Sequence, residues 1–157
     1  MYHAIIIAII ISDQIIKHLI RSGLNIHESI PVIDGVLHIT HVNNTGGAFG
    51  LFAGQTLVLS AVTAVILAAI LVYIQKNRKG SPRVFILSLS LICAGGLGNL
   101  TDRLIFKAVT DFIDFRVFPV FNLADISVTC GCGLLLLYFI FFDKKESVKK
   151  EAAEDAC

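Results

Sequence analysis

Asp13 and Lys17 break an aliphatic run at i, i+4 spacing, acid first, so their side chains can pair on one face of a helix. Asn99 stands three and four residues before Asp102 and Arg103, and Asn122 three before Asp125, so each set again shares a helical face. Val109-Thr110-Asp111-Phe112-Ile113-Asp114-Phe115-Arg116 alternates instead. Extended, it puts Val109, Asp111, Ile113 and Phe115 on one face and Thr110, Phe112, Asp114 and Arg116 on the other. Asp114 then has an arginine on its own face and an ordinary solvent-side explanation. Asp111 is the acid among apolar neighbours, where desolvation raises a carboxyl pKa and suits proton sharing.

Two carboxylates close together at a dry site cannot both ionise cheaply, so they share a proton. The ionised member can take a proton from water as that water attacks a peptide carbonyl, while the protonated member hydrogen-bonds to the carbonyl oxygen. Such a pair titrates as a unit, with neither role fixed to one residue. This chemistry requires no metal, cysteine or serine nucleophile, and the chain contains neither H-E-x-x-H nor G-x-S-x-G.

The chain that must position these groups is very apolar. Its 157 residues are 55% hydrophobic and 16% charged, with mean hydropathy +0.80, whereas a soluble domain carries about 25% charged residues. A net charge of +1 offers no field to attract nucleic acid. A membrane helix needs about 20 mostly apolar residues, and four stretches qualify: about 4–20, 56–74, 84–100 and 123–142. The first lacks a basic leading region and carries its charges at the far end, so it reads as a permanent helix rather than a cleaved signal. Lys76, Arg78, Lys79 and Arg83 join the second and third spans, and Lys144, Lys145, Lys149 and Lys150 follow the fourth. By the positive-inside rule these segments are cytoplasmic, which places 21–55 and 101–122 outside. In the outer segment 32–43, Asp34-Gly35 lies between β-branched runs, a hairpin signal. The expected architecture is an all-α polytopic membrane protein of four transmembrane helices with a small extracytoplasmic β-hairpin or cradle and both termini cytoplasmic. Residues 1–143 form a single integral membrane domain and 144–157 a charged cytoplasmic tail. On this topology the three helical polar sets converge on the outer level of the bilayer, where costly ionisable groups point to function.

Plainer readings compete at several positions. Asp13/Lys17 reads better as a structural pair than as chemistry, and Asp102 as a supporting acid neutralised by its neighbour Arg103. Gly95, Gly96 and Gly98 read as close helix packing, as do the glycines of Cys130-Gly131-Cys132-Gly133. Cys93, Cys130 and Cys132 read as small buried hydrophobes, without zinc-like spacing. His38 and His41 fall on opposite faces of a strand, which argues against a shared metal. The competing functional class is a small proton- or cation-coupled transporter with the aspartates as a relay; acids spread through the bilayer depth would favour it.

Taken together the motifs resemble the lipoprotein signal peptidases (signal peptidase II). Ser12-Asp13-Gln14 with Lys17 is similar to the family's first-helix motif, and Asn44-Thr45-Gly46-Gly47-Ala48-Phe49 to its outer Asn-x-Gly-x-Ala-Phe motif, with Gly47 where many members have Ala. Gly95-Gly96-Leu97-Gly98-Asn99-Leu100-Thr101-Asp102-Arg103 is similar to its third-helix motif. Val109-Thr110-Asp111-Phe112 and Phe121-Asn122-Leu123-Ala124-Asp125 resemble the segments that carry its catalytic aspartates. The resemblance implies a membrane aspartic endopeptidase that cuts prolipoproteins just before a diacylglyceryl-modified cysteine. It implies Asp111 and Asp125 as the dyad, in preference to Asp102, with Asn44, Gly46, Asn99, Asp102, Arg103 and Asn122 supporting them. It further implies no cofactor, a place in the bacterial cytoplasmic (inner) membrane with the site on the extracytoplasmic face, contact with membrane lipids, inhibition by globomycin-type peptides, and no need of an oligomer.

Overall fold

The computed structural model describes residues 2–46 and 54–143. Among the described residues four helices are long and apolar enough to cross a membrane: α1 (Tyr2–Gly23), α2 (Thr56–Asn77), α3 (Arg83–Phe106) and α4 (Leu123–Tyr138), the last continued by a π-helical turn over Phe139–Asp143. α1, α2 and α3 outrun the apolar stretches, because polar residues such as Arg21 and Arg103 keep helical backbone beyond the point where hydropathy falls. α3 begins after Pro82, whose missing N–H costs nothing at a helix start. It stops at Lys107, which adopts the left-handed conformation (φ 62) and returns its N–H to Arg103.

Three strands share one end of the bundle: β1 (Ser29–Ile33), β2 (Leu37–Asn44) and β3 (Val109–Asp114), antiparallel in that order. The expected hairpin is present and pairs from Ser29↔Thr40, three residues before the segment read as strand. Its turn uses Gly35 at φ +70, a conformation that glycine adopts without strain. β3 makes the hairpin a three-stranded sheet, and two strands alone are marginal in water.

α3 lies at the centre, against α1, α2 and α4. Glycine makes this possible. A Cβ at Gly95 would strike the Ala124 carbonyl of α4, one at Gly96 would meet Leu67 of α2, and one at Gly98 would meet the Asp13 carboxylate of α1. In the second glycine cluster only Gly131 packs closely, against Ser88 and Ile92; Gly133 has nothing within 4 Å. Two other expectations change. Cys93 is buried, but Cys130 and Cys132 are exposed, since they lie on faces of α4 that turn away from the bundle. Asp114 is buried rather than on a solvent face, because β3 is covered on both sides. It accepts hydrogen bonds from Thr40 Oγ1 (2.7 Å) and from the Arg116 backbone (2.8 Å). Gly47, Ala48 and Phe49 of the outer motif and the tail from Lys144 lie outside the described residues.

Candidate active site

α4 starts with a capping box. The Asn122 side-chain carbonyl accepts from Asp125 N–H (2.9 Å), and Asp125 Oδ2 accepts from Asn122 N–H (3.1 Å). The remaining atoms of both side chains face other elements. Asn122 Nδ2 donates to Asp111 Oδ1 at 2.6 Å and to Asn99 Oδ1 at 3.1 Å. Asn99 Nδ2 donates to the other oxygen of Asp125 at 2.8 Å. Asp111 Oδ2 accepts from Asn44 Nδ2 at 3.1 Å, while the Asn44 carbonyl oxygen is occupied by Gly46 N–H (2.9 Å). Thus one fully buried asparagine links the two aspartates, and two further asparagines fix their orientations.

Asp111 is 3% exposed, and its carboxyl is pushed up from 3.8 to about 6, first by burial and then by the charge of Asp125. The hydrogen bonds from Asn44 and Asn122 oppose that shift, because they favour the ionised form. The charge of Asp125 is thus part of the environment that raises Asp111.

A second polar cluster lies behind β3. Lys17 is fully buried and directs its three N–H donors at Asp13 Oδ2 (2.9 Å), Asn99 Oδ1 (2.9 Å) and Asp102 Oδ2 (3.3 Å). Asp13 Oδ1 also accepts the Ala124 N–H at 3.0 Å, satisfying another free donor of α4's first turn. The Asp13/Lys17 ion pair that the spacing predicts is present, and through it α1 meets Asn99 of α3 and the first turn of α4. Asp102 differs from expectation. Its charge is met by Lys17 and by Arg21 (3.4 Å), while Arg103 turns the other way and donates to the Gly46 carbonyl at 3.0 Å. Successive residues on a helix point about 100° apart, so adjacency in sequence does not give a pair. Gln14 joins the cluster through Asp13, Asp102 and the Gly98 carbonyl.

Asn44, Asn99, Arg103, Asp111 and Asp125 line one cavity of about 800 Å³, with Ile66 and Leu67 of α2 and Val128 of α4 among its apolar walls. Asn122 supports it from behind, and Asp13, Lys17 and Asp102 do not reach it. The cavity offers two carboxylates beside an apolar groove between helices, the setting for hydrolysis of a bond carried by an apolar chain. His38 and His41 serve elsewhere: His38 Nδ1 lies 3.0 Å from Arg116 Nη2 and His41 Nδ1 2.9 Å from the Leu24 carbonyl. The residues that sequence reasoning missed are Arg21 and Thr110. Arg21 continues the Asp13/Lys17 series by one more helical step, and that spacing was the available signal.

Residues 5–141 match the family described as Signal peptidase (SPase) II. A lipoprotein signal peptidase of Halothermothrix orenii is 44% identical over 88% of this chain and 94% of its own. That of Shouchella clausii is 40% identical over 93% and 97%. A solved bacterial membrane enzyme superposes with TM-score 0.82 at 33% identity, covering 88% of this chain and 87% of that one.

Proposed function

Because the chain belongs to the signal peptidase II family, we propose that Asp111 and Asp125 are the catalytic dyad of this aspartic endopeptidase. The enzyme removes signal peptides from prolipoproteins. The observation that carries the residue assignment is the double hydrogen-bond role of Asn122, which joins both carboxyls at one wall of the cavity. With one shared proton, the ionised carboxylate takes a proton from water as the oxygen bonds to the scissile carbonyl carbon, and the protonated carboxyl donates to the carbonyl oxygen. Collapse breaks the C–N bond, with a proton passing to the departing nitrogen. Asn44, Asn99 and Asn122 hold the carboxyls, Arg103 lines the cavity while donating to the Gly46 carbonyl, and Asp102 supports from behind β3. No cofactor or second copy is required, since one chain supplies every group named.

The substrate is a prolipoprotein whose cysteine already carries diacylglycerol, cut just before that cysteine. Its apolar signal helix suits the groove lined by Ile66, Leu67 and Val128. Globomycin-type peptides would occupy the same cavity. The basic 76–83 connection supports placing both termini in the cytoplasm, with the site at the outer face of the bacterial cytoplasmic membrane. On this reading 1–143 is one integral membrane domain and 144–157 a cytoplasmic tail. The family match leaves the transporter reading without support.

The test is Asp111→Asn and Asp125→Asn in purified protein, assayed on a peptide bearing an S-diacylglyceryl cysteine. Each is expected to lose at least about a thousandfold in kcat. Near-normal cleavage by either folded variant would reject the dyad.

A further inference from the structure

The sheet loses its regularity immediately beyond Asp111. Asn43↔Thr110 and Val42↔Asp111 pair in register, but the register slips before Ile39↔Ile113, leaving Thr40 and His41 opposite Phe112. On the other edge, Phe112 and Ile113 both direct their N–H groups to the Phe121 carbonyl, at 3.0 and 2.8 Å. Asp111 therefore stands on the last regular rung, and its placement depends on what fixes the residue before it. Thr110 is 1% exposed, and strand alternation turns its side chain to the face opposite Asp111. Its N–H donates to Asp102 Oδ2 at 3.0 Å, and its hydroxyl accepts from Arg21 Nη1 at 3.0 Å. The same Nη1 lies 3.4 Å from Asp102 Oδ1, and the Arg21 guanidinium carbon sits 4.2 Å from the centre of the Phe106 ring. The guanidinium is thus held by a charge and an aromatic face while it grips Thr110.

We propose that Arg21 is a positioning residue for the peptidase reaction: by holding Thr110 from the far side of β3, it sets where the Asp111 carboxyl stands against Asn44 and Asn122. The inference rests on the dyad assignment above. Arg21 does not line the cavity, so its effect falls on chemistry rather than on substrate contact.

The experiment compares full-length wild type, Arg21→Met, Thr110→Val and the double variant on the S-diacylglyceryl cysteine peptide, recording kcat, KM, the pH profile of kcat and melting temperature. Each single change is expected to lower kcat about tenfold while KM stays within about twofold. The double variant should be no worse than the poorer single, because both changes cut the same link. The alkaline limb of kcat should move up, since the hydrogen bonds that favour ionised Asp111 lengthen. Thr110→Val keeps the shape and the Asp102 bond, and so carries the test if Arg21→Met does not fold. Wild-type kcat in Thr110→Val, additive losses in the double variant, or a lower melting temperature with kcat and pH limb unchanged would overturn the inference. If wild type itself cut nothing, the peptidase reading would fall and this inference with it.

Discussion

At the scale of single residues, Asp111 is the group whose environment works against its own ionisation. Its carboxyl titrates near 6 in the fold against an ordinary 3.8, so the folded state holds the proton more tightly than the unfolded chain does. The stability this gives is complete below about pH 4 and lost as pH rises through about 6. Relative to wild type, Asp111→Asn should therefore gain about 2 kcal/mol of stability between pH 4 and pH 8. Unfolding measured at both pH values checks this, and parallel behaviour of the two proteins would contradict it. Activity follows the same proton. In wild type kcat/KM should fall as pH rises through about 6, where Asp111 of the proposed dyad loses its proton. Asn44 donates to the ionised form, so Asn44→Ala should move that limb upward while lowering the rate. A limb that moved down would show that Asn44 does not act on Asp111.

At the scale of elements, the decisive contact is the close approach of α3 and α4. Gly95→Ala would push a methyl group into the Ala124 carbonyl and separate Asn99 from Asp125. A loss of about 1–3 kcal/mol is expected, with reduced cleavage, whereas Gly133→Ala should change neither, having no neighbour within 4 Å. Thermal unfolding of both in one detergent makes the comparison. Lys17→Met is expected to be harsher, about 3–5 kcal/mol, because it leaves Asp13 and Asp102 short of a buried counter-charge. Much of this was legible in sequence because helix geometry is a local rule. The spacings 13/17, 99/102 and 122/125 needed no tertiary information. The same arithmetic reaches Arg21, yet Arg21 reads as a charge beyond the end of a span at 20, since hydropathy stops where apolar residues stop and the helix runs on to Gly23. Asp114 misled for the converse reason. Alternation sorts side chains into two faces but does not say that both are covered. The Asn44–Asp111 bond crosses 67 residues, and only the family resemblance singled out Asn44 beforehand.

At the scale of the whole molecule, the four spans among the described residues and the sheet bring Lys17, Asn44, Asn99, Asp111, Asn122 and Asp125 into one connected hydrogen-bonded cluster. The proposed orientation predicts that a reporter fused after Cys157 reads out in the cytoplasm; an external signal would invert the topology and place the cavity on the wrong side for exported prolipoproteins. Cys130 and Cys132, exposed on α4, check the packing of the bundle instead, since a lipid-soluble thiol reagent should reach them and spare Cys93. The Asp13–Lys17 bond has a further consequence for biogenesis. Since the two charges lie one helical turn apart on the same segment, α1 carries its own counter-ion as it leaves the ribosome and can enter the bilayer before α3 has been made. Asp102 has no such intrahelical partner. It takes its counter-charges, Lys17 and Arg21, from α1, so neutralising it requires α1 and α3 to be packed together.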